Sequence, residues 1–172
     1  AANIAPYYGL KDTGTNNLLG PSDTSIVLSD TWDNLLTGNT TDGGIDVLLS
    51  RLDISYKDLL QLLTTESLNK KQSGVRPVNI TAKSTHPDDQ ATCILKELKL
   101  DIQSPHSAAS FFSALHRFVR FWRATKLSVY ELDTVLTSLG ISSFNATFLS
   151  EAEYKLASQA IVFARQFHVS ID

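Results

Sequence analysis

The side chains in this 172-residue chain whose types could support chemistry are four histidines, one cysteine and one run of basic and aromatic residues. The histidines are His86, His106, His116 and His168. No two of them stand at i, i+3 or i+4, and none stands so to Cys93, so helix-borne metal ligation has no starting pair. His86 with Asp88 and Asp89 comes nearest to a ligand cluster, but acids at the positive end of a helix need no metal to explain them. Motifs that cradle phosphate, bind dinucleotides, raise a serine nucleophile or hold catalytic zinc are absent. The Asp, Asn and Gly residues at 12–23 and 33–46 do not follow calcium-loop spacing. We therefore expect no catalytic, cofactor-binding or metal site, and no enzyme.

The basic run needs a separate weighing. His116, Arg120 and Arg123 lie at i, i+4 and i+7, forming one polar flank of a helix. Such a flank could meet nucleic acid or an anionic ligand. The plainer reading is an amphipathic helix with aromatics in the core and arginines in solvent or paired with acids. The formal net charge of -3 favours the second reading, and no nucleic-acid partner is expected. Asn39, Asn79 and Asn145 each begin an N-glycosylation sequon, a pattern that also occurs by chance in polar loops. The single Cys93 excludes an internal disulfide and is read as a packed, inert thiol.

The elements that must position these residues are read as helices. Apolar residues are 42% and charged residues 19%, the balance of a globular chain. There is no methionine, so the chain begins without an initiator, and no signal peptide is visible. The most apolar stretch, Phe111 to Trp122, is broken by charges and is shorter than the roughly 20 residues that span a bilayer. No membrane contact is expected. Residues 1–30 read as an irregular arm rich in turn formers, and 31–172 as one helical domain.

Within that domain Ile45, Leu48, Leu49 and Leu52 share a helix face. Ser55 opens another helix, with Asp58 in capping-box position and Leu59, Leu60, Leu62 and Leu63 behind it. Asp88 to Leu98 reads as a further helix. Ser104 and Pro105 are expected to start the clearest one, whose stripe is Phe111, Phe112, Leu115, Phe118, Val119 and Trp122. Ser128 caps the next, with Glu131 three residues on and Leu132, Val135 and Leu136 facing inward. The last runs from about Ser150 to His168. The expected fold class is all-α, antiparallel helical hairpins in an irregular bundle, with room for a short extended segment around 75–82. An amphipathic helix, a tight turn and a capping serine recur at Ser55, Ser128 and Ser170, so another hairpin is expected to begin there. Ile161, Phe163 and Phe167 are then candidates for apolar side chains left uncovered.

The segment His116-Arg117-Phe118-Val119-Arg120-Phe121-Trp122-Arg123, followed by Ser128 and Glu131-Leu132-Asp133, resembles a signature of the A subunits of bacterial toxin complexes and the related virulence-plasmid A protein domain. Leu52 to Leu63 is similar to an upstream segment of that family, Thr65 to Asn69 to the piece after it, and the Cys93 segment to the piece between. Lys126-Leu127 stands where the family has Gly-Trp, and Lys70 where proline is usual. The resemblance implies that the chain is a fragment of a very large subunit, from the helical outer shell around a channel, insecticidal and virulence-linked. It implies a homo-pentamer that docks on host cells, forms a pore and translocates a toxic enzyme carried by other subunits. It further implies secretion or cell-surface display, with the rest of the same subunit as the immediate partner. The signature residues His116, Arg117, Phe118, Arg120, Trp122, Arg123, Ser128, Glu131, Leu132 and Asp133 would be structural. The alternative is a free-standing helical interaction module of the same ancestry.

Overall fold

A computed structural model describes residues 36–39, 44–83, 94–145 and 148–167. The expected arm at 1–30, the cluster at His86, Asp88 and Asp89, Cys93, His168 and the expected hairpin start at Ser170 lie outside the described residues. In chain order the elements are α1 (Ile45–Leu52), α2 (Tyr56–Thr64), β1 (Val78–Ala82), a 3-10 turn (Leu95–Glu97), β2 (Leu98–Ile102), α3 (Ala108–Thr125), α4 (Val129–Ser138) and α5 (Glu151–Gln166). The all-α expectation is corrected by the antiparallel pair β1–β2; the fold is mixed, though mainly helical.

The extended segment expected around 75–82 is β1, and the surprise is its partner. The helix expected over 88–98 does not extend through its described end, where the chain makes the 3-10 turn and enters β2. Leu98, Leu100 and Ile102 alternate with Lys99 and Asp101, a period of two that suits a half-buried strand. Val78 pairs with Ile102, Ile80 with Leu100 and Ala82 with Leu98, so one face of the ribbon is wholly apolar. Asn79 opposite Asp101 and Thr81 opposite Lys99 make the other face polar. Beyond the ribbon, the Lys83 N–H donates to the Glu97 carbonyl at 2.8 Å.

The chain divides into two compact units, one from Ala1–Tyr56 with Val78–Ile102, the other from Lys57–Pro77 with Gln103–Asp172. In the first, α1 buries Ile45, Leu48, Leu49 and Leu52 and packs on the 3-10 turn and β2. Backbones come close there: a Cβ on Gly38 would stand 3.0 Å from the Leu98 carbonyl oxygen, and φ at Gly38 is +87°. Both the space and the left-handed conformation call for glycine.

In the second unit, α2 buries Leu59, Leu62 and Leu63, α3 buries Phe111, Phe112, Leu115, Phe118 and Val119, and α4 buries Leu132, Val135 and Leu136. Capping boxes open α3 at Ser107, α4 at Ser128 and α5 at Ser150. Thus α3 starts three residues later than Ser104-Pro105 predicts, because Ser107 and Ser110 satisfy each other's backbone groups. Trp122 is also corrected: it is only half-buried, and Phe121 takes the inner position, its ring edge-on to Tyr154 at 4.7 Å. The turn chemistry recurs as expected. Asp53 after α1 and Lys126 after α3 are both left-handed, at φ 52° and 56°, and each stands two residues before the serine that precedes the next helix.

Phe118 is fully buried at the middle of α3, so Phe118→Ala is expected to cost about 3–5 kcal/mol. Trp122→Ala should cost clearly less, since the indole already meets solvent. Urea denaturation of both variants tests this ordering; a larger loss for Trp122→Ala would refute it.

Candidate functional site

The second unit contains an irregular segment that is almost wholly buried. Immediately after α2, Thr65, Ser67, Leu68 and Asn69 are inside while Glu66 reaches the surface region. Buried backbone outside a helix or sheet must find partners elsewhere. Asp133 on α4 supplies them. Its carboxylate accepts from the Glu66 N–H at 2.9 Å, from the Ser67 N–H at 2.7 Å and from the Ser67 hydroxyl at 2.6 Å. Arg76 serves the carbonyls: its guanidinium donates to Thr65 O at 3.1 Å and Asn69 O at 2.5 Å, and to the Glu66 carboxylate at 2.8 Å. Ser143 closes the other side, its N–H donating to Ser67 O at 2.7 Å and its hydroxyl to Leu68 O at 2.5 Å.

Several residues of the sequence signature meet here and others do not. Asp133 and the Thr65–Asn69 piece join directly. Ser128 and Glu131 cap α4, and Leu132 and Phe118 are core. Arg120 and Arg123 lie exposed on α3 and do not join the latch. Arg117 turns elsewhere: its guanidinium donates to Phe148 O at 2.7 Å, and its own carbonyl accepts from the Tyr154 hydroxyl at 2.9 Å, which ties α5 to α3. His116 is half-buried, and burial, then Arg120, then Arg117, lower its pKa to about 4.

Two features of this unit are not visible as motifs. The first is a cavity of about 250 Å³ beside the start of α3, with Arg117, Ser113, Phe144 and Phe148 on its walls. His106, 8% exposed, also lines it and packs on Phe144 at 4.8 Å; burial lowers its pKa. The second is a bare apolar stripe on α5. Ala157 and Ile161 face inward, while Leu156, Phe163 and Phe167 stay exposed, the last two at 58% and 63%. Ile161 therefore leaves the set expected to be uncovered, and Phe163 and Phe167 remain in it. The hydrophobic periodicity signals the stripe; the cavity has no signal beyond a histidine just before a capped helix.

Among the described residues no group of three His, Cys, Asp or Glu could hold a metal ion, and no helix is long and apolar enough to cross a membrane. Comparison with known proteins finds no matching family model, curated protein or solved structure.

Removing the Asp133 carboxylate strands buried donors at residues 66 and 67. Asp133→Ala is expected to cost about 2–4 kcal/mol, against less than about 0.5 kcal/mol for the exposed control Lys71→Ala. Equal denaturation midpoints would show that the latch contributes nothing. The low pKa of His116 gives a pH dependence of definite sign. Between about 4 and 6.5 the unfolded chain binds the proton more readily, so this histidine's stabilising contribution is full above 6.5, declines through that window and is gone below 4. Stability measured from pH 7 to 4 should fall more steeply in the parent than in His116→Gln, which shares every carboxylate. Parallel curves would contradict the shift.

Proposed function

We propose that this chain is a non-catalytic structural segment of the helical shell of a toxin-complex A subunit, whose whole assembly binds host cells, forms a pore and translocates a toxic enzyme. The family in this reading comes from the resemblance of the ordered pieces between Leu52 and Asp133. The observation that carries the structural role is the two-faced α5. One face packs inward through Ala157 and Ile161, and a second holds Leu156, Phe163 and Phe167 in solvent. Leu156, Phe163 and Phe167 fall at i, i+7 and i+11, one narrow stripe, and the rings of Phe163 and Phe167 touch at 4.5 Å.

The area of the stripe favours one kind of occupant. A phenylalanine contributes roughly 150–250 Å² when buried, and Phe163 and Phe167 are 58% and 63% exposed, so with Leu156 the stripe amounts to about 300 Å². A stable complex between separate proteins needs about 800 Å² from each partner. A contact within one chain forgoes the cost of associating two free bodies and can be smaller. We therefore assign the stripe to another part of the same large subunit.

The test compares this chain with the natural gene product. Phe163→Cys, in a Cys93→Ser background, should react rapidly with a maleimide in this chain and far more slowly in the full-length subunit. Equal rates in both, or a natural product no longer than this chain, would overturn the proposal in favour of a free-standing module.

A further inference from the structure

The cavity beside α3 carries a second inference, independent of the shell reading. Its lining divides by chemistry. Ala114, Phe144 and Phe148 give apolar wall, and Ser113 and Arg117 stand one helical turn apart on the same face of α3. Among the described residues of the lining Arg117 is the one permanent charge, and none is Asp or Glu. It is partly buried and spends one N–H on the Phe148 carbonyl, leaving further donors of its planar fork. No ion pair ties it to an acid among the described residues.

A partly buried guanidinium without a counter-charge is unfavourable, and an anion beside it removes that cost. The surroundings add to the positive potential, since Arg120 lies near enough to act with Arg117 on His116. A further polar group is left unsatisfied at the same place: His106 lines the cavity, is nearly fully buried, and its Nε2 has no hydrogen-bond partner. Burial keeps that imidazole neutral near pH 7, so it adds no second positive charge.

These features select the ligand. One cation matches one negative charge. A phosphate dianion would call for a second cation or a nest of backbone N–H groups, and the described residues of the lining include no other Lys or Arg. The planar fork suits a carboxylate, and Phe144 and Phe148 suit an apolar body behind it. A volume near 250 Å³ lies just under the roughly 300–1,000 Å³ of drug-sized sites, so the ligand is small. We propose that this cavity binds a small monocarboxylate with an aromatic or aliphatic body, Arg117 anchoring the carboxylate, Ser113 donating a second hydrogen bond, and the two phenylalanines flanking the body.

The experiment titrates the folded chain with benzoate, following amide and arginine side-chain NMR signals. Benzamide, inorganic phosphate and a short glutamate-containing peptide serve as comparison probes. Saturable shifts confined to residues 106–117 and 143–148, with a Kd at or below about 1 mM, are expected for benzoate alone. Arg117→Gln should weaken binding at least about tenfold, the scale of losing a charged hydrogen bond. Should that variant fail to fold for want of the Phe148 contact, Ser113→Phe keeps Arg117 in place and should block binding by filling the cavity. Equal binding of benzamide, preference for phosphate or the peptide, undiminished binding by a folded Arg117→Gln or Ser113→Phe variant, or no saturation by benzoate would each overturn the proposal.

Discussion

A carboxylate that accepts three hydrogen bonds from a buried, irregular stretch of chain is the constraint on which the second unit depends. Residues 65–69 leave α2 and run through the interior without a ladder to pair with. Each backbone group buried there would cost on the order of 1–3 kcal/mol if left unmet. Asp133 meets two N–H groups and a hydroxyl, and in doing so fixes where α4 lies against the end of α2. Arg76 and Ser143 meet the carbonyls from two further points of the chain. Within the segment the Asn69 N–H meets the Thr65 carbonyl at 3.1 Å, and the bonds to Asp133, Arg76 and Ser143 make it a hub.

The helices that converge on this hub owe their ends to local chemistry. Lys126 takes a left-handed conformation that a residue with a Cβ enters only at a cost, and Ser128 follows two residues later to cap α4. Asp53 and Ser55 repeat the spacing after α1. Aspartate tolerates the left-handed region better than lysine does, so the lysine is the less expected of the two. The turn nevertheless forms with Lys126 in the position where the resembling family has glycine, which shows that the surrounding helices and the Ser128 cap outweigh the preference of one residue.

Those caps explain what could be read beforehand. The courses of α2, α4 and α5 follow from apolar spacing together with a serine just before the helix, and that of α1 from apolar spacing after Gly44; all of these signals are local. The errors arose where two periods fit the same letters. Ile94, Leu95 and Leu98 satisfy a helical repeat, while Leu98, Leu100 and Ile102 satisfy a strand repeat; only the presence of β1 as a partner decides between them. Ser104-Pro105 is as good a helix start on paper as Ser107, and the reciprocal bond to Ser110 settles it. Phe121 and Trp122 are neighbours on one broad apolar arc, and the position of Tyr154, more than thirty residues away, selects which ring goes inside. The Asp133 latch had only a faint trace, an acid beside inward-facing Leu132, because its partners are backbone groups that no side-chain pattern encodes.

The residues that carry the resemblance divide by role in a way that bears on what such a resemblance can mean. Phe118 and Leu132 are core, Ser128 and Glu131 form a helix cap, and Asp133 holds backbone. All five serve a helical hairpin and its attachment, so their recurrence points first to a shared way of packing and only by analogy to a shared activity. Arg117 differs from them. Its carbonyl receives Tyr154, one guanidinium N–H holds Phe148, and the rest of that group lines a cavity with no acid among its described residues. A cation placed only for structure has no need of that last feature. If one position in the signature does more than hold the hairpin together, the geometry singles out Arg117.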